Sequence, residues 1–248
     1  MCGRYNLVDS PEVQALMAAV GMPLYPHQQL RFSPDIAPGA RISIIRHFEG
    51  RPVVSDAIWW LMLDPATGKP NYKYSSFNSR SDKLHTPRAI AYHPYRSSRC
   101  IIPASAFIEG LGDSKTYHKI QLQGQAIAFG GIYKEYVDKQ TGEIIRGASI
   151  ITLPPLPQWS EIHTKASPLM LPLDQGVLTQ WMDPELTDVT QLEHLLQPRI
   201  RMPQIVTPIG QVSKWDEIGE PVMLVVNRCE TSAKAAIDVI CVPQTSRD

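Results

Sequence analysis

Short apolar runs that end at glycine-containing turns are the feature that most restricts the fold of this chain. Residues 42–48 and 53–60 are two such runs, and a Glu49-Gly50 turn lies between them, as in a β-hairpin. Turns are also predicted at residues 123–124 and 139–142. Further strands are predicted at residues 100–108, 118–122, 125–133, 143–153 and 222–226. The sequence therefore predicts many short strands joined by tight turns.

Helical patterns are few. Ser10 suits an N-cap, Pro11 the first helical position and Gly21 the end of a helix, with apolar residues at helical spacing between them. Residues 173–182 and 189–197 also have helical patterns. We therefore predict an α+β fold, a single domain over residues 1–248 built on largely antiparallel β-sheet, barrel-like or sandwich-like, with a few flanking helices.

Composition limits the functional classes. The 248 residues are 43% hydrophobic, which suits one globular domain with an ample core. No apolar run approaches the roughly 20 residues of a membrane span, and the first residues include Arg4, Asn6 and Asp9, so we expect a cytoplasmic monomer. The four cysteines have no CxxC spacing, so no metal, cofactor or disulfide framework is expected.

One stretch is rich in basic and aromatic residues, although the net charge of the chain is zero. Residues 69–99 contain a single acid, Asp82, and interleaved basic and aromatic side chains. These are Lys69, Lys73, Arg80, Lys83, Arg88, Arg96 and Arg99, with Tyr72, Tyr74, Phe77, Tyr92 and Tyr95. Basic groups that meet phosphates and rings that stack on bases are typical of single-strand binding. A solvated loop whose tyrosines cap the core is the alternative.

The opening Met1-Cys2 is a candidate reactive site. Loss of Met1 ahead of the small Cys2 would leave a 1,2-aminothiol. An α-amine of pKa near 7.8 is roughly 15% neutral at pH 7, far more than a lysine, and attacks aldehydes. The neighbouring thiol can then close a five-membered thiazolidine, an intramolecular step. The alternative is an idle cysteine in a disordered terminus.

Five short segments occur in the order found in one known family. They are Met1-Cys2-Gly3-Arg4, residues 36–39, residues 77–82, residues 103–109, and His163 followed by residues 168–171. The chain thus resembles the SOS response associated peptidase (SRAP) family, also called abasic site processing proteins. Residues 208–212 resemble the family's closing segment, so the resemblance covers nearly the whole chain. Asp82, Gly110 and an extra residue before Pro168 depart from the family pattern.

The resemblance implies a function and a set of site residues. It implies covalent capture of abasic sites in single-stranded DNA by Cys2, with protection or processing of the damaged site, self-removal of Met1 and strand cleavage as a further activity. Asn78 would orient the sugar or the amine, Glu109 would act as a general acid/base and His163 as a second proton-transfer group. Such groups suit the reaction, since opening the closed sugar and dehydrating a carbinolamine both move protons. The predicted DNA contacts are Arg4, Arg80, Lys73, Arg88 and Trp59.

Three other functions stay open on the sequence. Glutamine amidotransferase domains also begin Met-Cys-Gly, so an N-terminal-nucleophile amidohydrolase is the main rival, although the charged Arg4 stands where those domains have an apolar run. A cysteine peptidase acting on other proteins is a second. A non-catalytic single-strand binding module, in which Cys2 is idle, is the third.

Overall fold

The computed structural model describes residues 3–23, 29–139 and 141–226. The strands are β1 (Tyr5–Leu7), β2 (Ser33–Ile36), β3 (Arg41–Phe48), β4 (Arg51–Ile58), β5 (Asn78–Arg80), β6 (Arg99–Ala104), β7 (Ala106–Gly110), β8 (Tyr117–Leu122), β9 (Ile127–Val137), β10 (Ile144–Leu153), β11 (Ser167–Pro168), β12 (Met170–Leu171), β13 (Gln204–Ile209) and β14 (Val222–Leu224). The helices are α1 (Pro11–Ala19), α2 (Tyr92–Ser97) and α3 (Gln175–Met182), with 3-10 turns at Ser81–Lys83, Pro157–Trp159 and Val189–Leu196.

Five of these strands close into a barrel. The order is β10-β4-β3-β6-β9, and β9 pairs with β10 to complete the circle. The pairs are antiparallel except β10 with β4, where Gly147 meets Ile58. Glycine is required at position 147, because a Cβ there would lie 2.4 Å from the Trp60 carbonyl oxygen. β5 is not one of the five barrel strands, and it pairs in parallel with residues 150–152 of β10.

A second, fully antiparallel sheet packs against the barrel. Its order is β14-β13-β8-β7-β1-β2. Tyr5, Phe107 and Ile120 lie side by side across three of its strands and are buried. The ring of Phe107 meets that of Phe129 of β9 at 5.5 Å, so the core lies between the sheet and the barrel. This sheet carries Glu109 and Tyr117 of the candidate site.

The α+β prediction with largely antiparallel sheet is confirmed, and so are the turns at Glu49-Gly50 and the helix after Ser10. The Ser10 hydroxyl accepts from the Val13 N–H, as an N-cap does. Residues 189–197 were predicted to be helical, and the helix there, Val189–Leu196, is of the 3-10 type.

The single strand predicted over residues 100–108 is wrong. It is two strands: β6 belongs to the barrel and β7 to the second sheet, and the chain changes sheet at Ser105. The Ser105 N–H donates to the Asn6 carbonyl, so the backbone leaves the barrel ladder for that of β1. Residues on both sides of Ser105 are apolar and are compatible with a strand of either sheet, so the sequence pattern does not reveal the change.

Candidate functional site

A cavity of about 300 Å³ opens at one end of the second sheet. It is lined by Gly3, Arg4, Ile108, Glu109, Gly110, Gly112, Ser114, Tyr117, His163 and Val212. Three of these, Arg4, Glu109 and His163, were predicted as site residues. They come from the start of the chain, from β7 and from the loop before β11, so the fold brings together residues that are far apart in sequence.

The register of β1 and β7 places Gly3 beside Glu109. Tyr5 pairs with Phe107, and the Ile108 N–H donates to the Arg4 carbonyl at 2.9 Å. Continuing the register of Tyr5 and Phe107 by two residue pairs, through Arg4 and Ile108, sets Gly3 opposite Glu109. Glu109 lies two residues from the buried Phe107 and therefore faces the same, inner side of the sheet, where its side chain is only 2% exposed.

His163 lies beside this carboxyl group. Its backbone N–H donates to the Trp159 carbonyl at 2.8 Å, which ties the loop to a fully buried tryptophan. Its Nδ1 is 3.5 Å from a Glu109 carboxylate oxygen and 2.6 Å from the Gly110 carbonyl oxygen. Because a carbonyl only accepts, Nδ1 carries the proton, and in the neutral ring Nε2 is the basic nitrogen.

Burial shifts the pKa values of the two groups in opposite directions. It raises the pKa of Glu109 to about 7, because the carboxylate loses its hydration. It lowers the pKa of His163, an effect opposed by the hydrogen bond to the Gly110 carbonyl. Near neutral pH, Glu109 is therefore present in both its protonated and its ionised form, while His163 is neutral. A pair of this kind can both donate and accept a proton.

Arg4 is held at the cavity wall by Asp35 of β2. Its Nη1 lies 2.5 Å from one oxygen of Asp35, and the Trp215 indole N–H donates to the other at 3.0 Å. Sequence reasoning missed Asp35 and Trp215, because neither belongs to a recognised motif and they are 180 residues apart.

Asn78 stands in a different position from these groups. Asn78 begins β5, pairs with Ile150 of the barrel and is not among the residues that line the cavity. Aromatic contacts connect it to the start of the chain: the ring of Phe77, its neighbour, lies 5.9 Å from that of Trp59, which lies 4.9 Å from that of Tyr5. Cys2 lies outside the described residues.

Three predicted DNA contacts are exposed. Arg80 is 69% exposed and forms a bidentate pair with Asp82, at 2.9 and 2.8 Å. Lys73 lies in a turn between Tyr72 and Tyr74, whose rings are both solvent-exposed. Arg88 is exposed as well. Cations and rings are thus available on the surface of this stretch.

The prediction that Trp59 contacts DNA is contradicted by its burial. The Trp59 side chain is fully buried, and its indole N–H donates to the Phe77 carbonyl. A side chain without exposed surface does not reach a strand. Arg99 is buried too, and Arg96 lies over the Tyr92 ring and donates to the Leu84 and Tyr92 carbonyls, so both hold the structure together.

The cavity also contains residues that sequence reasoning missed. Tyr117, Ser114 and Gly112 reach it from β8 and the turn before it. No spacing or composition marks them, since loops position residues through their tertiary contacts. No group of three or more metal-binding side chains occurs among the described residues, and none of their helices has the length and apolarity of a membrane span.

Comparisons with known proteins agree with one another. The model of the family "SOS response associated peptidase (SRAP)" matches residues 1–215. The chain is 28% identical over 202 residues to the abasic site processing protein YoaM of Bacillus subtilis, covering 80% of this chain and 86% of that one. It is 25% identical over 203 residues to YobE of the same organism, which has the same descriptive name, covering 80% of this chain and 89% of that one.

Solved structures share the fold. A crystal structure of a protein from Bordetella bronchiseptica aligns with a TM-score of 0.64 at 19% identity, covering 85% of this chain and all of the other. One from Bacteroides thetaiotaomicron aligns with a TM-score of 0.63 at 20% identity, covering 83% and 92%. At these identities the likeness concerns architecture alone.

Proposed function

This chain belongs to the SOS response associated peptidase (SRAP) family, and on that premise we propose that it recognises abasic sites in single-stranded DNA and crosslinks to them through Cys2. The descriptive name of its Bacillus relatives, abasic site processing protein, supports the substrate class. The amidohydrolase remains the alternative reading of the same N-terminal cysteine.

One observation carries the proposal: a buried acid/base pair faces the start of the chain. Glu109 and His163 line the cavity that Gly3 also lines. Cys2 is bonded to Gly3, and consecutive Cα atoms are roughly 3.8 Å apart, so chain connectivity keeps the nucleophile close to this pair. An amidohydrolase or an idle terminus does not require a carboxyl group whose pKa is about 7 at this place.

The covalent step balances without a cofactor. After Met1 is removed, the Cys2 amine adds to the aldehyde carbon of the ring-opened sugar, and the carbinolamine loses water to give an imine. The thiol then adds across the C=N bond, with sulfur on carbon and the proton on nitrogen. This closes a thiazolidine, and nothing further leaves.

The acid/base pair has a separate task at each stage. Protonated Glu109 donates to the departing hydroxyl of the carbinolamine, and its carboxylate accepts a proton as the closed sugar opens. Nε2 of neutral His163 is the base for protons on the imine side, including the one whose loss by β-elimination would nick the strand. Asn78 would orient the sugar or the amine. We assign removal of Met1 to the same site.

DNA would reach the cavity along the exposed part of the basic stretch. Lys73, Arg80 and Arg88 supply cations, and Tyr72, which is 75% exposed, supplies a ring for stacking. Arg80 lies two residues from Asn78 on β5, so a phosphate held there would lie close to the proposed sugar-orienting group.

Denaturing electrophoresis with a single-stranded oligonucleotide tests the proposal. One oligonucleotide carries an abasic site and its control a tetrahydrofuran analogue, which has no aldehyde. Wild type should give a denaturation-resistant band with the first alone, and mass spectrometry should find Cys2 as the first residue. Cys2→Ala should lose the band and keep reversible binding. A Cys2→Ala protein that crosslinks at the wild-type level, or activity confined to glutamine hydrolysis, would refute the proposal.

A further inference from the structure

We propose that Asp35 is a positioning residue for the covalent step: it fixes Arg4, and with it the N-terminal segment, against the Glu109–His163 pair. This inference rests on the proposed function. Asp35 does not line the cavity and therefore acts through Arg4, while Trp215 holds Asp35 in place from the opposite side.

Both carboxylate oxygens of Asp35 are engaged by side chains. Oδ2 accepts a hydrogen bond from the Arg4 guanidinium at 2.5 Å, and Oδ1 accepts one from the Trp215 indole N–H at 3.0 Å. A carboxylate bound at both oxygens has little rotational freedom, so it holds the guanidinium in one orientation. Asp35 itself lies on β2, which pairs with β1 at Tyr5 and Ile36.

Trp215 is held in an uncommon backbone conformation. Its φ of +59° lies in the left-handed region, which a bulky residue rarely adopts. The loop that carries it is fixed by hydrogen bonds from the Trp215 N–H to the Gln211 carbonyl and from the Gly210 N–H to the Asp216 carbonyl. Val212 of the same loop lines the cavity. Strain that is maintained by several bonds near a site indicates that the indole position matters.

Arg4 is therefore fixed at two points. Its carbonyl accepts from the Ile108 N–H and its guanidinium is bound to Asp35. β1 is only three residues long, so few ladder bonds hold the residues before Tyr5. The side-chain anchor at Arg4 lies next to Gly3, opposite Glu109. Losing this anchor would let the reactive terminus move, and a displacement of about 1 Å can slow a reaction about 100-fold.

A purely structural role predicts a different result. Arg4 and Asp35 are both partly exposed, and ion pairs of that kind contribute little to stability. A positioning role therefore predicts a slower covalent step at full DNA occupancy with thermal stability nearly unchanged. A structural role predicts lower stability, or nothing.

The test is single-turnover crosslinking of the full chain to the abasic oligonucleotide at saturating DNA, with reversible affinity measured on the tetrahydrofuran analogue. Asp35→Asn keeps an acceptor for Trp215 and removes the charge that holds Arg4. We expect the rate constant at saturation to fall about tenfold or more. Trp215→Phe, which removes only the N–H, should lower it about threefold, since Asp35 then keeps its bond to Arg4.

Two controls separate positioning from a general effect of charge. Asp56→Asn breaks the similar surface pair of Asp56 with Arg31 and should react at the wild-type rate. In an Arg4→Met background, adding Asp35→Asn should cause no further slowing, because Asp35 then has no arginine to hold.

The outcomes are distinguishable. A wild-type protein that forms no crosslink would refute the proposed function and this inference with it. Normal wild-type crosslinking with Asp35→Asn at the wild-type rate constant would overturn the inference alone. A change in affinity without a change in rate constant would overturn it as well, since Asp35 would then modulate DNA binding only.

Discussion

The cavity and the basic stretch of residues 69–99 differ in how their charged groups are held. Around the cavity, Glu109 and His163 are buried and in contact, and Arg4 is bound to Asp35. In the basic stretch, Arg80 is exposed and paired with its near neighbour Asp82, whereas Arg99 is buried.

This difference matches the two proposed roles, which are proton transfer at the cavity and DNA binding at the basic stretch. Burial shifts the pKa values of Glu109 and His163, and their contact defines their orientations, both of which proton transfer requires. Exposed groups keep their charge in water and can adapt to a flexible strand, which is what phosphate binding requires. Nearness in sequence is a poor guide to either role, because Arg99 and Arg80 belong to one basic stretch and have opposite environments.

The largest effect is expected at Glu109. Glu109→Gln keeps the shape of the side chain and removes the proton that it exchanges, so crosslink formation at pH 7 should slow by a factor of about 100 to 10,000. Quenched time courses measure it, and Glu185→Gln, a change at an exposed glutamate, should react normally. A Glu109→Gln protein at wild-type speed would reduce Glu109 to a structural acid.

Arg99→Met should have the next largest effect, on folding. Arg99 donates to five carbonyls, those of Tyr95, Arg96, Trp181, Asp183 and Leu186. Losing a buried, charge-assisted network of this kind should lower the free energy of unfolding by about 3 kcal/mol or more, as measured in urea. The same change at exposed Arg80 should cost little. Equal losses at the two sites would abolish the contrast between buried and exposed cations.

Stability should depend on pH through Glu109. Its pKa is raised from 4.5 to about 7, so the folded state disfavours the carboxylate. Stability is full below pH 4.5 and falls as the pH rises through 7, by about 3 kcal/mol for this shift. Glu109→Gln should therefore gain stability over wild type between pH 4.5 and 8, as measured by urea unfolding.

Asp82 provides the control for this pH effect. Its pKa is lowered by Arg80, so it stays ionised over that whole interval, and Asp82→Asn should show a constant offset from wild type. A constant offset for Glu109→Gln as well would mean that its carboxyl group is hydrated in solution.

The smallest effect is expected at Arg80, in the exposed part of the basic stretch. Arg80→Ala should lower the slope of log affinity against log salt by about 0.7, the share of one phosphate contact on a single strand. Arg51→Ala, a change at an exposed arginine outside the basic stretch, should leave the slope unchanged. An unchanged slope for Arg80→Ala would move the DNA path toward Lys73 and Arg88.

Local sequence determined the elements whose signals are local. Ser10 and Pro11 began α1 as predicted, because capping needs only the neighbouring backbone. The Glu49-Gly50 turn formed with both residues at positive φ, as a tight hairpin turn requires. The short apolar runs gave β3 and β4, and the motif order pointed to Glu109 and His163.

Only the tertiary structure decided which of these parts meet. The sequence of residues 100–108 is compatible with one strand or with two strands in different sheets. Their division at Ser105 depends on hydrogen bonds to β1. Composition assigned Arg99 to a surface and the family resemblance assigned Trp59 to a DNA contact, but tertiary packing buries both side chains. Asp35 joins Arg4 to Trp215 across 31 and 180 residues of chain. Dihedral preferences and side-chain periodicity act between neighbours, whereas burial, pKa shifts and ion pairs are set by residues that are adjacent only in space.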